Sequence, residues 1–265
     1  MQKKMWKIVF LALVAVLAIG MLAGCGGSTE EPVADKGQFV VGLDENFPPM
    51  GFRDENGEIV GFDVDMAREA LTRMGYEPVF QPIDWNAKEM ELSSGKIDAI
   101  WNGLTITDER KEQMAFSEPY LNNTQAILVL KDATYQTSAD LAGQAVATQE
   151  SSSAAELIAG SKELTNLFGS VDAYADYESA LMDLEIGRVK AVVGDLILLS
   201  YKTASTPDKY RILDESLADE QYGVAMRLDD TERLAELQAT LDEMNQDGTS
   251  AEISTKWFGS DLVLK

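Results

Sequence analysis

Ile97-Asp98-Ala99-Ile100-Trp101, followed by Asn102-Gly103-Leu104-Thr105-Ile106-Thr107-Asp108-Glu109-Arg110, is the stretch that decides the fold. Its first five residues are largely apolar, the pattern of a short buried strand. Its end, Thr107 followed by two acids, has the form of a helix start, with a hydroxyl at the N-cap and negative charge in the first turn. Strand, polar loop and helix in succession make an α/β unit. Polar groups at the carboxyl end of a parallel strand face the crevice where open α/β sheets take ligands. The Thr105 hydroxyl, the loop amides and Arg110 could clamp a carboxylate there, because a guanidinium offers both oxygens one planar fork. On these residues alone, Arg110 could equally lie on the solvated face of its helix.

Working outward, the same alternation recurs. Phe39 to Leu43 is expected to form a first strand, leading into a loop, Asp44 to Met50, stiffened by Pro48 and Pro49. Asp63 is placed to cap a helix running to Met74 and stopped by Gly75. A strand from Tyr76 to Gln81 and a helix from Trp85 to Ser94 follow, ended by Gly95. Beyond Arg110, strands are expected near residues 125–130, 144–148, 171–174, 190–194 and 222–227, with helices opening at residues 149–154, 177 and 231. Strands alternating with helices throughout imply an α/β protein with mainly parallel sheets.

The start of the chain belongs to no fold. Lys3, Lys4 and Lys7 precede an apolar run, Ile8 to Ile19, and then Leu22-Ala23-Gly24-Cys25. That is a secretory signal, residues 1–24, and the last four residues match the bacterial lipobox, in which Cys25 is lipidated and becomes the new N-terminus. The apolar run is short for a full membrane span. Residues 25–36, polar with Gly and Pro, read as a tether. Cys25 is the only cysteine, so an intrachain disulfide is excluded. The chain contains 0 histidines, which removes His triads, His metal sites and His acid/base work. Its formal charge is -23; without the three signal lysines, 19 basic residues face 45 acidic ones, or -26. Such a chain lacks the basic face that nucleic acid requires.

One internal echo stands out. Met90 to Gly103 and Met182 to Asp195 align without a gap, each reading as helix, Gly stop, basic residue, strand and polar loop. Equivalence would give two similar lobes with Gly103 corresponding to Asp195. A ligand between them would meet the cation of Arg110 on one side and the carboxylate of Asp195 on the other, the charge pattern that holds a zwitterion.

At these residues the chain resembles the polar amino-acid-binding proteins of bacterial ATP-binding cassette importers, family 3 of the extracellular solute-binding proteins. The matching stretches are 41–50, 60–66, 95–100, 103–110, 116–120 and 247–249, in that order along essentially the whole chain after the tether. The resemblance implies a two-lobed, type II periplasmic-binding-protein-like fold, two sheets joined by two hinge strands. Lobe one would be residues 37–122 with 222–265, and lobe two residues 123–221. It implies that Arg110 grips an α-carboxylate with Thr105 and the Gly103 amide, and that Asp195 takes the α-ammonium. Phe47 and Trp85 would flank the ligand side chain, and Asp44 would stand at its far end. Ser152 and Ser153 would close from lobe two, where helix-opening amides favour an anion. Each has an ordinary alternative: Phe47 and Trp85 as core, Ser152 and Ser153 as an N-cap, Asp195 as a cap of the helix after it.

The chain departs from the family pattern in places. Glu150 to Ser153 replaces the usual Gly-Thr or Gly-Ser loop, Gln149 stands where some members carry Lys, and Trp101-Asn102 replaces small residues; Asn102 could hydrogen-bond a side chain. The implied function is a lipid-anchored, monomeric receptor outside the cytoplasm. It would capture a free L-amino acid with a polar or basic side chain and deliver it to a membrane permease, with no cofactor and no metal. An acidic ligand is disfavoured because the matched positions offer no cation besides Arg110. The competing reading is an enzyme on the same fold, a dehydratase or lytic transglycosylase. Paired carboxylates such as Asp63 and Asp65 lie two apart at a helix start, where capping is the ordinary explanation.

Overall fold

The computed structural model describes residues 36–265. The signal segment, Cys25 and the tether up to residue 35 lie outside the described residues. Among those described, no helix is long and apolar enough to cross a membrane.

The first sheet is built on β1 (Gln38–Leu43), whose last three residues are fully buried. Val41 and Leu43 are both 0% exposed, a gain of roughly 1.5–3 kcal/mol for each side chain. Asn46–Phe47 (β2), Gly51–Arg53 (β3) and Ile59–Val60 (β4) form a small antiparallel sheet of their own. The helix Phe62–Arg73 leads back to β5 (Glu77–Pro82), parallel to β1. A 3-10 turn, Trp85–Ala87, continues into the helix Lys88–Ser93 and then β6 (Ala99–Ile100), parallel to β1 on its other side. The short helix Asp108–Lys111 and β7 (Ala115–Phe116) follow.

Two strands link this sheet to the second. β8 (Leu121–Leu130) enters the second sheet, which also holds β9 (Ala145–Gln149), β10 (Ser170–Tyr174), β11 (Ala191–Asp195) and β12 (Tyr210–Ile212). β13 (Ala218–Tyr222) pairs antiparallel with β8 and leads back to β14 (Ala225–Met226) in the first sheet. The strand orders are β5-β1-β6-β14-β7 and β10-β9-β11-β8-β12. In both, a central strand has a parallel neighbour on each side, and the third strand of the parallel trio meets an antiparallel one. The two halves of the sequence echo, ending at β6 and β11, therefore hold equivalent places in two similar lobes. Gly95 and Gly187 both turn at positive φ, +75° and +77°.

The sheets are more mixed than the alternation of elements implies. β14 lies antiparallel to β6 and β7, and β8 lies antiparallel to β11, β12 and β13. The linking strands cause this, since each must reverse direction to cross between sheets. The helix expected to be capped by Asp63 starts two residues earlier, with Gly61 at the cap, and the Asp63 carboxylate is buried.

Candidate interlobe binding site

The loop after β6 sits at the carboxyl end of its sheet, as its sequence predicts. Thr107 caps the following helix, its Oγ1 accepting from the Arg110 amide at 3.2 Å. That cap turns the Arg110 side chain inward, and it is 3% exposed, which excludes the solvated-face reading. Gly103 adopts φ +57°, and an added Cβ would lie 3.0 Å from the Phe47 ring. The Gly103 amide donates to Asp63 Oδ2 at 2.6 Å, and the Tyr120 hydroxyl donates to the same oxygen at 2.9 Å. Burial pushes the Asp63 carboxyl up to about 7 despite these donors. The loop is thus moored from below by a buried acid.

All the predicted site residues are buried, and most meet across the seam between lobes. Asn102 Oδ1 accepts from the Asp44 amide at 3.0 Å, and Gln149 Nε2 of the second lobe donates to Asp44 Oδ2 at 2.7 Å. Burial raises the Asp44 carboxyl above its ordinary range, and the nearby Asp176 and Glu45 add to the rise. Thr105 Oγ1 and Ser153 Oγ lie within hydrogen-bond reach at 3.1 Å. Gln125 Nε2 donates at 3.1 Å to that same Ser153 oxygen and at 2.8 Å to Asp195 Oδ1. Arg110 Nη1 donates to the Thr105 carbonyl at 2.9 Å. The Arg110 end and the Asp195 end are therefore joined by one chain of polar contacts. Ser152 caps the helix Ser153–Gly160, accepting from the Ala155 amide at 3.1 Å, so its hydroxyl serves as a cap. Asp195 precedes the helix Leu196–Ser205 but makes no side-chain cap bond, which leaves its carboxylate for the seam.

The two aromatics have different neighbours. Phe47 packs on Tyr177 of the second lobe, ring centroids 6.0 Å apart, while Trp85 lies under Lys88 Nζ at 5.1 Å. Glu45 pairs with Arg53 at the surface at 2.5 Å and takes no part in the seam.

Several residues at the seam escaped sequence reasoning. Lys88 is 1% exposed; its ammonium donates to the Ser151 carbonyl of the other lobe at 2.9 Å and pairs with Glu89 at 3.0 Å. Burial, and then the Arg110 charge, pull its pKa down. It is a second buried cation beside Arg110. Arg110 Nη2 reaches Glu156 at 2.8 Å and the Ser151 carbonyl at 3.3 Å. Asn123, Gln125 and Glu220, all on the linking strands, surround Asp195. Burial, and then the charge of Glu220, push the Asp195 carboxyl up to about 7.

Six buried polar atoms at this seam have no hydrogen-bond partner: Asn102 Nδ2, Arg110 Nε, Asn123 Oδ1, Gln125 Oε1 and the hydroxyls of Tyr177 and Tyr222. An unpaired buried polar group costs about 1–3 kcal/mol. Arg110 Nε leaves a donor at its end, while Asn123 Oδ1 and Gln125 Oε1 leave acceptors around Asp195, with the two tyrosine hydroxyls beside them. Chemically, that is a seam prepared for an anionic group at one pole and a cationic group at the other.

Comparison with known proteins agrees with this architecture. The family described as bacterial extracellular solute-binding proteins, family 3, matches residues 39–260. The L-cystine-binding protein TcyJ of Escherichia coli (strain K12) is 30% identical over 261 residues, covering 95% of this chain and 96% of the relative. ABC transporter arginine-binding protein 1 of the same strain is 30% identical over 259 residues, covering 96% and 99%. A histidine-bound substrate-binding protein of an ABC uptake transporter from Streptococcus pneumoniae superposes with a TM-score of 0.84 at 33% identity, covering 86% of this chain and 95% of that one. The chain belongs to the bacterial extracellular solute-binding proteins, family 3, and has their two-lobed type II fold.

Proposed function

We propose that this protein captures a free L-amino acid between its two lobes and delivers it to an ABC permease in the membrane. Arg110 receives the α-carboxylate with Thr105, Ser153 and the Gly103 loop, and Asp195 receives the α-ammonium. The observation that carries the reading is the single seam on which Arg110 and Asp195 both lie, buried and connected through Thr105, Ser153 and Gln125. The amino acids named for the relatives, cystine, arginine and histidine, support the ligand class. Lobe one comprises residues 37–122 and 222–265, and lobe two residues 123–221, which accords with the two sheets. The protein works as a monomer held at the outer face of the membrane through lipidated Cys25.

A polar or basic side chain is favoured. Asp44, with Asp176 near it, makes the pocket's far end acidic. Lys88 does not reverse this, because its ammonium is held by two carbonyls and Glu89, whereas Arg110 keeps Nε without a partner. Titration calorimetry with a panel of L-amino acids tests the reading. Binding of arginine, lysine, glutamine, histidine or cystine is expected; tight glutamate binding with none of these would reject the preference. Replacement of Cys25 by Ser should release the protein from cells into the medium, and its retention would remove the lipid anchor.

A further inference from the structure

The second linking strand brings an acid to the site that neither the sequence reading nor the proposed poles require. Opposed residues alternate along β8 and β13. Asn122 pairs with Gln221 and Thr124 with Asp219 on the outer face, while Asn123, Gln125 and Glu220 turn inward. Glu220 Oε2 accepts from Thr105 Oγ1 at 2.9 Å, from Gln125 Nε2 at 2.9 Å and from Ser153 Oγ at 3.2 Å. Asn123 Nδ2 also donates to it, at 3.2 Å. The same Asn123 and Gln125 amide nitrogens donate to Asp195 Oδ1. Two carboxylates thus share two NH2 groups. The oxygens of those amides, Asn123 Oδ1 and Gln125 Oε1, are buried without a partner although their residues are only 5% and 0% exposed. Four acceptor groups crowd one place where, among the described residues, no side-chain cation pairs with Asp195 or Glu220, and only the unpaired Tyr177 and Tyr222 hydroxyls offer further donors.

We propose that Glu220 is a second carboxylate of the ammonium pole, sharing the ligand's NH3 group with Asp195, and that its charge helps to keep a proton on Asp195 until the ammonium displaces that proton to solvent. The inference rests on the amino-acid reading above. An ammonium supplies three donors and one positive charge, which matches the acceptor surplus. Two carboxylates held on the same amide donors repel each other in a buried place, so a proton on Asp195 relieves them while the site is empty. The titratable groups facing the pair are Tyr222 on β13 and Tyr177 from the second lobe, and burial raises both hydroxyls, so neither ionises near neutrality.

The test is calorimetry with the tightest binder among the twenty L-amino acids and L-cystine, in phosphate and in Tris, at pH 6, 7 and 8. Wild type is expected to release close to one proton per ligand at pH 6 and little at pH 8. Glu220→Gln should release clearly less than wild type at pH 6 and 7, because burial alone then raises Asp195, and should bind roughly tenfold more weakly at pH 8. The outward-facing Gln221→Glu should behave as wild type. Proton release and affinity unchanged in Glu220→Gln would overturn the proposal. If that variant does not fold, absence of release by wild type at pH 6 overturns it alone. If no amino acid binds, the receptor reading fails. The pair is then judged by carbon-13 NMR of the unliganded protein. A carboxyl titrating near 7 in wild type that falls by about one unit or more in Glu220→Gln supports the pair, and an unmoved titration sinks it.

Discussion

Lys88 of the first lobe donates to the backbone carbonyl of Ser151 in the second at 2.9 Å, and Arg110 Nη2 approaches the same oxygen at 3.3 Å. Ser151 is the one non-glycine residue among those described with positive φ, 54°, and its hydroxyl donates to Asn86 beside Lys88. Two cations therefore converge from one lobe on a single strained residue of the other. This makes Ser151 a latch between lobes, separate from the Asp195 end.

Lys88→Met keeps the length of the side chain and removes its ammonium. Because a buried charge is exchanged for an apolar group, global stability should change by less than about 1.5 kcal/mol. The unliganded lobes should part more readily, and small-angle scattering should give a larger radius of gyration than wild type. Identical scattering curves would exclude the latch.

Arg110→Ala should abolish ligand-dependent thermal stabilisation. At a ligand concentration of about 100 times Kd, wild type gains roughly 2.7 kcal/mol, seen as a rise in Tm that the variant lacks. Stabilisation retained at the same ligand concentration would take Arg110 out of the site.

Asp63 gives stability a pH dependence. Its carboxyl titrates near 7 when folded and near 3.8 when unfolded. The raised value means that the folded form holds a proton the unfolded form has lost, so stability falls as pH rises between the two values. Asp63→Asn should remove this loss, standing about 4 kcal/mol above wild type at pH 8 relative to the difference at pH 4. Urea unfolding at the two pH values measures it; parallel curves would show that Asp63 is ionised throughout.

Gly103→Ala puts a Cβ at φ +57° and 3.0 Å from the Phe47 ring. A destabilisation of about 1–3 kcal/mol is expected, together with weaker amino-acid binding, since the loop amide must move. Chemical denaturation checks the first effect and calorimetry the second. A variant as stable as wild type would mean that the Phe47 ring yields freely.

The stretch from Ile97 to Arg110 was readable because its signals are local: an apolar run, a hydroxyl cap and acids in the first turn all act within four residues. Equivalence of the two lobes was readable for the same reason, each unit carrying its own Gly stop. Lys88 was not. It stands beside Glu89 and near Glu91 on a short helix, and its contact with Ser151, 63 residues away, is not written in that local pattern. Glu220, between Asp219 and Gln221, has the look of a charged edge strand, although the alternation of inward and outward residues along β13 was a signal that could have singled it out. Asp63 looked like a cap because the acid fits a helix start. Its true partners, the Gly103 amide and the Tyr120 hydroxyl, lie 40 and 57 residues away.

Pairing of Leu121 to Gln125 with Ala218 to Tyr222 means that the two passages between lobes are one ribbon. Neither can flex without carrying the other, so opening and shutting are confined to bending along a common line. Substitutions on the outer pairs, Asn122 with Gln221 or Thr124 with Asp219, would stiffen or slacken that ribbon from a side no bound molecule touches. Affinity could then be tuned in evolution by elasticity alone, with every contact to the cargo left as it was.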